Sequence, residues 1–237
     1  MLAGQVRMPG GGAVTADNVE ACARALVKQA PPAPAVVVGG DGRPRRVATV
    51  RFKLAPDHLR TRAEEFRPLV IEYARDYQVD PPLIFAIIHT ESAFNPRARS
   101  GVPAYGLMQL VPRSGARDAY RLVHDKDALV TGTYLYNPRH NVELGCAFVH
   151  ILDRRYLRRI ENDESRMLCG IAAYNTGAGN VCRAFYDGTS VGTAAPIINR
   201  LRPAEVYAYL RTRLPYKETR DYVEKVRRRM ALYRDWR

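Results

Sequence analysis

The chain lacks any apolar run approaching the ~20 residues that a membrane-spanning helix needs. It opens on M-L-A-G-Q-V-R-M-P-G-G-G, which has no continuous apolar core and so does not read as a secretory signal. No lipidation cysteine follows. The four cysteines, Cys22, Cys146, Cys169 and Cys182, include no C-x-x-C pair, which argues against zinc and thioredoxin-like chemistry. Cys146, Cys169 and Cys182 sit in apolar helical context, where buried free thiols are expected. A disulfide among them would need an oxidising compartment, and spacing alone selects no pair. Acidic residues are also scarce: 24 Asp and Glu against 37 Lys and Arg give a net charge of +13. Ten of the cations, against four acids, fall between Arg211 and Arg237. That balance fits a polyanionic partner or a solvated, arginine-rich helix face.

What the chain does have is a hydrophobic helix running into a single carboxylate, D-P-P-L-I-F-A-I-I-H-T-E-S-A-F-N-P from Asp80 to Pro96. Ile84, Ile87, Ile88 and Glu91 recur at i, i+3, i+4 and i+7, so the acid occupies the next position of an apolar stripe. Burial against aliphatic side chains disfavours the charged form and raises a carboxyl pKa. The negative end of the helix dipole acts in the same direction. Such an acid is suited to giving up a proton near neutral pH. Asp80 is the expected N-cap, Pro81 and Pro82 fit the first turn, and Asn95-Pro96 is the expected stop.

Residues 1–53 read as an N-terminal appendage, and 54–237 as the main domain. In the appendage a helix is expected at Ala16–Gln29. A strand at Val36–Val38 and an alternating strand at Arg46–Leu54 are expected to form a hairpin, in the manner of a remnant of a neighbouring domain. From Asp57 the chain reads as successive helices: Asp57–Tyr77, the Glu91 helix, Leu107–Ala119 broken at Pro112, Asn141–Arg155, Ser165–Tyr174, Gly179–Phe185, Pro203–Leu214 and Glu218–Trp236. The β-branched V-T-G-T-Y-L-Y within Asp118–Tyr136 suggests a small hairpin insertion. The fold class is therefore all-α, a helical globule with a small β-hairpin insertion and a short N-terminal appendage.

Three segments carry more than a core requires. The loop Ala98–Leu110 places Ser100, Tyr105 and Gln109 around a glycine turn, within reach of the end of the Glu91 helix. Ala172–Asn180 puts Tyr174 and Asn175 at a helix terminus before a tight turn. Glu218–Val226 carries Tyr222 on a face with Val223 and Val226. Amides beside aromatic rings suit sugar hydroxyl and acetamido groups. After Glu91 no acid appears until Asp118, and the three segments are read as supplying none.

In this order E-S-A-F-N-P, S-x5-G-L-M-Q-L, A-Y-N-T-G and E-T-R-D-Y-V resemble the successive motifs of the family 1 lytic transglycosylases. Those are the soluble-lytic-transglycosylase type of goose-lysozyme-like fold, and the resemblance covers roughly Leu54–Tyr233. L-A-P-D-H-L-R and L-I-F-A-I-I-H-T-E-S are most similar to a membrane-bound branch of that family. Asn137 departs from a usual aspartate, and Val111 from a common methionine. The resemblance implies that Glu91 is the catalytic acid and base. It further implies that Ser100 and Gln109 line sugar subsites, with Tyr105 beside them. Tyr174 and Asn175 would contact the saccharide or orient Glu91, and Tyr222 would close the groove. Peptidoglycan glycan strands are the implied partner, with no metal or cofactor and no specific nucleic acid. A monomer in the periplasm or cell envelope is expected, and membrane anchorage has no support in this chain.

A two-carboxylate glycosidase needs a second acid across the scissile bond. One acid alone fits an intramolecular route to a 1,6-anhydro sugar. A goose-type lysozyme using water, and a non-catalytic basic module for cell wall or nucleic acid, are the alternatives.

Overall fold

The computed structural model describes residues 5–8, 11–29, 35–47, 49–50, 54–55 and 57–236. They divide into two compact units, Met1–Glu65 and Phe66–Arg237. In the first, α1 (Val19–Lys28) buries Cys22 against Val6 and Val14, with Met8 and Leu26 packed on them. β1 (Ala35–Val38) and β2 (Pro44–Val47) pair antiparallel, with Ala35 opposite Val47 and Val38 opposite Pro44. The second strand starts earlier than its alternation predicts, because G-G-D-G makes the turn: the Gly42 N–H donates to Gly39 O at 2.9 Å. Of the expected strand Arg46–Leu54, residues 48 and 51–53 lie outside the described residues. α2 (His58–Asp76) follows.

The second unit is helical. Its core helix is α3 (Pro81–Glu91), in which every residue from Pro82 to Ile88 is buried. The sequence shows a stripe; the fold covers the helix all round, as expected of an element at the centre of a core. Around it stand α4 (Gly115–His124), α5 (Gly132–Leu135), α6 (Pro138–Ile151), α7 (Asp163–Thr176), α8 (Ala178–Cys182), α9 (Val191–Ile198), α10 (Pro203–Arg213) and α11 (Lys217–Met230). A π-helical turn, Leu152–Tyr156, extends α6, and a 3-10 turn, Ala231–Tyr233, extends α11. α3 packs on α11, α11 on α7, and α4 on α6. Asn137 caps α6 by accepting the Arg139 N–H at 2.9 Å, the role an aspartate would fill there.

Four local expectations need correction. No hairpin forms within 118–136, which holds the end of α4 and all of α5. The β-branched run misleads because Thr131 is a helix cap, its hydroxyl accepting the Tyr134 N–H at 3.2 Å. Residues 107–110 form a turn, not a helix start, and α4 begins only at Gly115. α3 ends at Glu91 rather than at Asn95-Pro96, because Ala93 and Phe94 adopt left-handed backbone (φ 49° and 59°). Asp80 occupies the N-cap position without a side-chain capping bond. α9 was not foreseen, since V-G-T-A-A-P-I-I mixes Gly, Thr and Pro into its apolar residues. All four cysteines are buried and free.

Candidate active site

Glu91 is the last residue of α3 and is half-buried where the helix gives way to the following loop. Its Oε1 accepts a hydrogen bond from the Tyr222 hydroxyl at 2.8 Å. Burial raises the Glu91 pKa from the ordinary 4.5 to about 7; the Tyr222 bond opposes that rise, and the charge of Glu218 adds to it. Tyr222 is itself buried on α11, and Tyr174 is half-buried near the end of α7. Burial first, then the charge of Glu91, hold both phenols well above their ordinary 10, so both remain hydrogen-bond donors.

The backbone around Glu91 is under strain. Ala93, Phe94 and Gln109 are non-glycine residues at positive φ, each costing on the order of 1–2 kcal/mol. Burial compensates at Phe94, which is 1% exposed and lies against His89 and Tyr233 at 5.9 and 6.1 Å. The Tyr233 hydroxyl meets His89 Nδ1 at 2.9 Å, and Phe85 stacks on Tyr233 at 5.2 Å. Burial, with Arg229 nearby, lowers the His89 pKa to about 4 and keeps the imidazole neutral at working pH. The turn after α11 therefore packs its aromatic Tyr233 against α3, while Tyr222 bonds Glu91 at the C-terminal end of that helix.

The G-L-M-Q loop is held from three directions. Ser92 Oγ donates to Leu107 O at 2.7 Å, tying the loop to the end of α3. Tyr174 Oη donates to Met108 O at 2.7 Å from α7. Asn141 of α6, fully buried, accepts from the Met108 N–H and donates to Tyr105 O and Leu135 O, all at 2.8 Å. The loop comes this close because Gly106 has φ 77° and no side chain. A Cβ there would sit 2.3 Å from Leu135 O and 2.4 Å from Asn141 Nδ2. Gly145 likewise leaves room for Met108, whose Sδ lies 2.0 Å from where its Cβ would be.

The seven residues singled out from sequence do not all converge. Glu91 and Tyr222 are bonded directly. Tyr174 lies near enough for the Glu91 charge to act on it, and Asn175 joins α11 through Thr219, whose hydroxyl donates to its Oδ1 at 2.7 Å. Gln109 turns its amide nitrogen onto its own loop, donating to Ala98 O at 3.0 Å and Gly106 O at 2.9 Å. Ser100 is exposed and donates to Val102 O in the same loop. Tyr105 packs edge-on against Tyr136 at 5.6 Å, with Arg99 over its ring. The sequence reading missed Ser92, Asn141, Thr219 and Glu218. Asn141 carried a visible signal, a polar residue directly before the apolar run of α6. Glu218 stands in the E-T-R-D-Y segment read as having no relevant acid, yet its charge bears on Glu91. Among the described residues, no group of three or more His, Cys, Asp or Glu side chains converges as metal ligands would.

This arrangement has relatives. The family model for the transglycosylase SLT domain matches residues 68–194. Membrane-bound lytic murein transglycosylase C of Klebsiella pneumoniae subsp. pneumoniae is 42% identical over 190 residues, covering 80% of this chain and 52% of that protein. The chain thus spans about half the length of the curated relatives it matches. Among solved structures, the lytic transglycosylase Slt from Pseudomonas aeruginosa, an inactive variant, is 28% identical with a TM-score of 0.55. That match covers 71% of this chain and 24% of that one. The 70 kDa soluble lytic transglycosylase from Escherichia coli is 25% identical with a TM-score of 0.57, covering 76% and 26%. The helical fold and the matched segment, which holds Glu91, Gln109 and Tyr174 but stops short of Tyr222, place this chain in the lytic transglycosylase SLT-domain family.

Proposed function

We propose that this domain cleaves the β-1,4 bond between N-acetylmuramic acid and N-acetylglucosamine in peptidoglycan glycan strands, without consuming water. The observation that carries the reading is the Glu91 carboxyl: half-buried, with its pKa raised to about 7, and bonded by a phenol, with no second acid bonded to it among the described residues. A carboxyl poised there serves in turn as acid and as base. The protonated form gives its proton to the glycosidic oxygen as the C1–O bond breaks. The C6 hydroxyl oxygen of the muramic acid then attacks C1, and its proton returns to the Glu91 carboxylate. A 1,6-anhydro end results, and the enzyme is unchanged.

Tyr222, bonded to Oε1, would hold and orient the carboxyl, and Tyr174 would brace the loop beside it through Met108 O. Asn175, Gln109, Tyr105 and Ser100 would line the saccharide groove; Gln109 offers its Oε1, since its nitrogen braces the loop. The matched relatives are named as murein transglycosylases. The site of action we infer is the periplasm or cell envelope, with a monomer as the working form. Among the described residues no helix is long and apolar enough to cross a membrane.

The hydrolytic alternative would need Glu218, the exposed acid whose charge reaches Glu91, as a water-activating base. Two substitutions separate the readings. Glu218→Gln removes a repelling charge, so the alkaline limb of the pH–rate profile, expected near 7, moves down while turnover stays within about threefold of wild type. Tyr222→Phe removes the bond that lowers the Glu91 pKa, so the limb moves up, and turnover falls about 10–100-fold as the carboxyl loses its orientation. A loss of about 1000-fold in Glu218→Gln, the scale of a missing general base, would establish the hydrolytic reading instead.

A further inference from the structure

A cavity of about 320 Å³ opens where α3, the end of α6 and α7 meet, and Glu91 is not among its lining residues. Its floor is apolar: Leu83 and Ile87 of α3, Val149 and Leu152 where α6 passes into its π-helical turn, and Met167 and Ile171 of α7. That size and lining suit a small ligand. Two local features shape it. The π-helical turn, closed by the Leu157 N–H donating to Leu152 O at 2.9 Å, brings Leu152, Asp153 and Arg154 to the wall. Such turns gather at functional sites. Gly170 stands inside α7, where glycine costs helix stability relative to alanine. No close packing demands it, since a Cβ there would meet only Leu157 Cδ1, at 4.0 Å. Gly106 and Gly145, by contrast, make room for Asn141 and Met108. What Gly170 does is keep a side chain out of the cavity that it lines.

The charges at the mouth are already paired with one another. Arg166 donates to Asp153 at 2.7 Å, to Asp163, and to Ile160 O and Glu161 O. Arg154 pairs with the other oxygen of Asp153 at 2.9 Å. Asp80, the remaining charged residue of the lining, has a partner as well. A charged ligand would lose its hydration here without gaining an unpaired counter-charge. An uncharged one gains the apolar floor and loses little.

We propose that this cavity binds an uncharged small molecule with an aromatic or branched aliphatic body, and that its occupancy slows the reaction at Glu91. The binding requires nothing of the proposed reaction, and the slowing rests on it. Ile87 precedes Glu91 by one turn of α3, and Ile171 precedes Tyr174 and Asn175 by one turn of α7, ~5 Å along each axis. Both helices pack on α11, which carries Tyr222. A molecule seated between α3 and α7 therefore shifts Glu91 and the Tyr174-Asn175 end against Tyr222, and small misplacements of a catalytic group are expensive in rate.

The test follows the side-chain methyl signals of the full chain by NMR as benzyl alcohol, benzylamine or benzoate is added. Benzyl alcohol shifts the methyls of Leu83, Ile87, Val149, Leu152, Met167 and Ile171, saturating in the millimolar range. Its two charged counterparts bind at least about tenfold more weakly. Gly170→Leu puts a side chain into the cavity and weakens benzyl alcohol binding at least about tenfold, while its thermal midpoint reports that it folds. At saturation, turnover of peptidoglycan falls about threefold or more in wild type and is unchanged by the alcohol in Gly170→Leu. The wild-type shifts locate the site without any variant. Shifts spread over methyls outside the cavity would overturn the proposal. So would a charged counterpart binding as tightly as the alcohol, or a folded Gly170→Leu binding like wild type. Unchanged turnover with the cavity saturated would overturn the slowing. A wild type inactive on peptidoglycan before any addition would count against the proposed reaction and not against the cavity, which the shifts read directly.

Discussion

Glu91→Gln is expected to lower turnover of purified peptidoglycan by about 1000-fold or more, the scale of a lost general acid that also serves as base. The same substitution is expected to make the protein more stable at pH 8. The folded-state pKa of Glu91, about 7, lies above its ordinary 4.5, so the folded chain holds a proton that the unfolded chain has released between those values. Stability therefore falls as pH rises from 4.5 to 7, and above 7 the full penalty is present, on the order of a few kcal/mol. Glutamine keeps the shape and the Tyr222 contact without a charge to bury. Thermal midpoints should separate at pH 8, with the variant higher, and converge below about pH 4.5. A variant that loses activity but melts identically at both pH values would mean that Glu91 is not desolvated.

Asn141→Ala is expected to be the most damaging substitution away from Glu91. It removes three hydrogen bonds and strips the Met108 N–H and Leu135 O of their side-chain partner, while Tyr105 O keeps the Leu110 N–H at 3.1 Å. At about 1–3 kcal/mol for each of these two buried groups, the loss is about 2–6 kcal/mol, a large part of a typical domain's ~5–15 kcal/mol. For a unit of this size the midpoint should drop by about 10 °C or more. Asn141→Asp retains the acceptor for Met108 and tests the donors separately. It should fall nearly as far, because it also buries a carboxylate beside two carbonyl oxygens. A midpoint within about 2 °C of wild type for Asn141→Ala would show that the loop is held by Ser92 and Tyr174 alone.

The sequence shows these features unevenly, for physical reasons. Glu91 was legible because helical periodicity is local: three isoleucines and one acid at i, i+3, i+4 and i+7 place the carboxyl against the core without knowledge of any other element. Tyr222 was recognisable as a candidate, but its bond to a residue 131 positions away is a property of packing that periodicity does not encode. Helix ends were the weak point. Nothing in S-A-F-N announces that Ala93 and Phe94 turn left-handed, because that conformation is imposed by burying Phe94 against Tyr233. The false hairpin at 118–136 has the opposite origin, a β-branched run whose threonine is recruited as a cap. Glu218 was passed over because charge at a helix start is ordinarily solvated, and only the approach of α11 to α3 makes it relevant.

The central claim is that one carboxyl cleaves the glycan without water. It is tested most directly by digesting intact sacculi in heavy-oxygen water, with wild type and Glu91→Ala side by side, and weighing the released muropeptides. The account predicts 1,6-anhydro ends that carry no heavy oxygen from wild type, and no release from Glu91→Ala. Products heavier by one water, with the label at C1, would contradict it and make the enzyme a hydrolase.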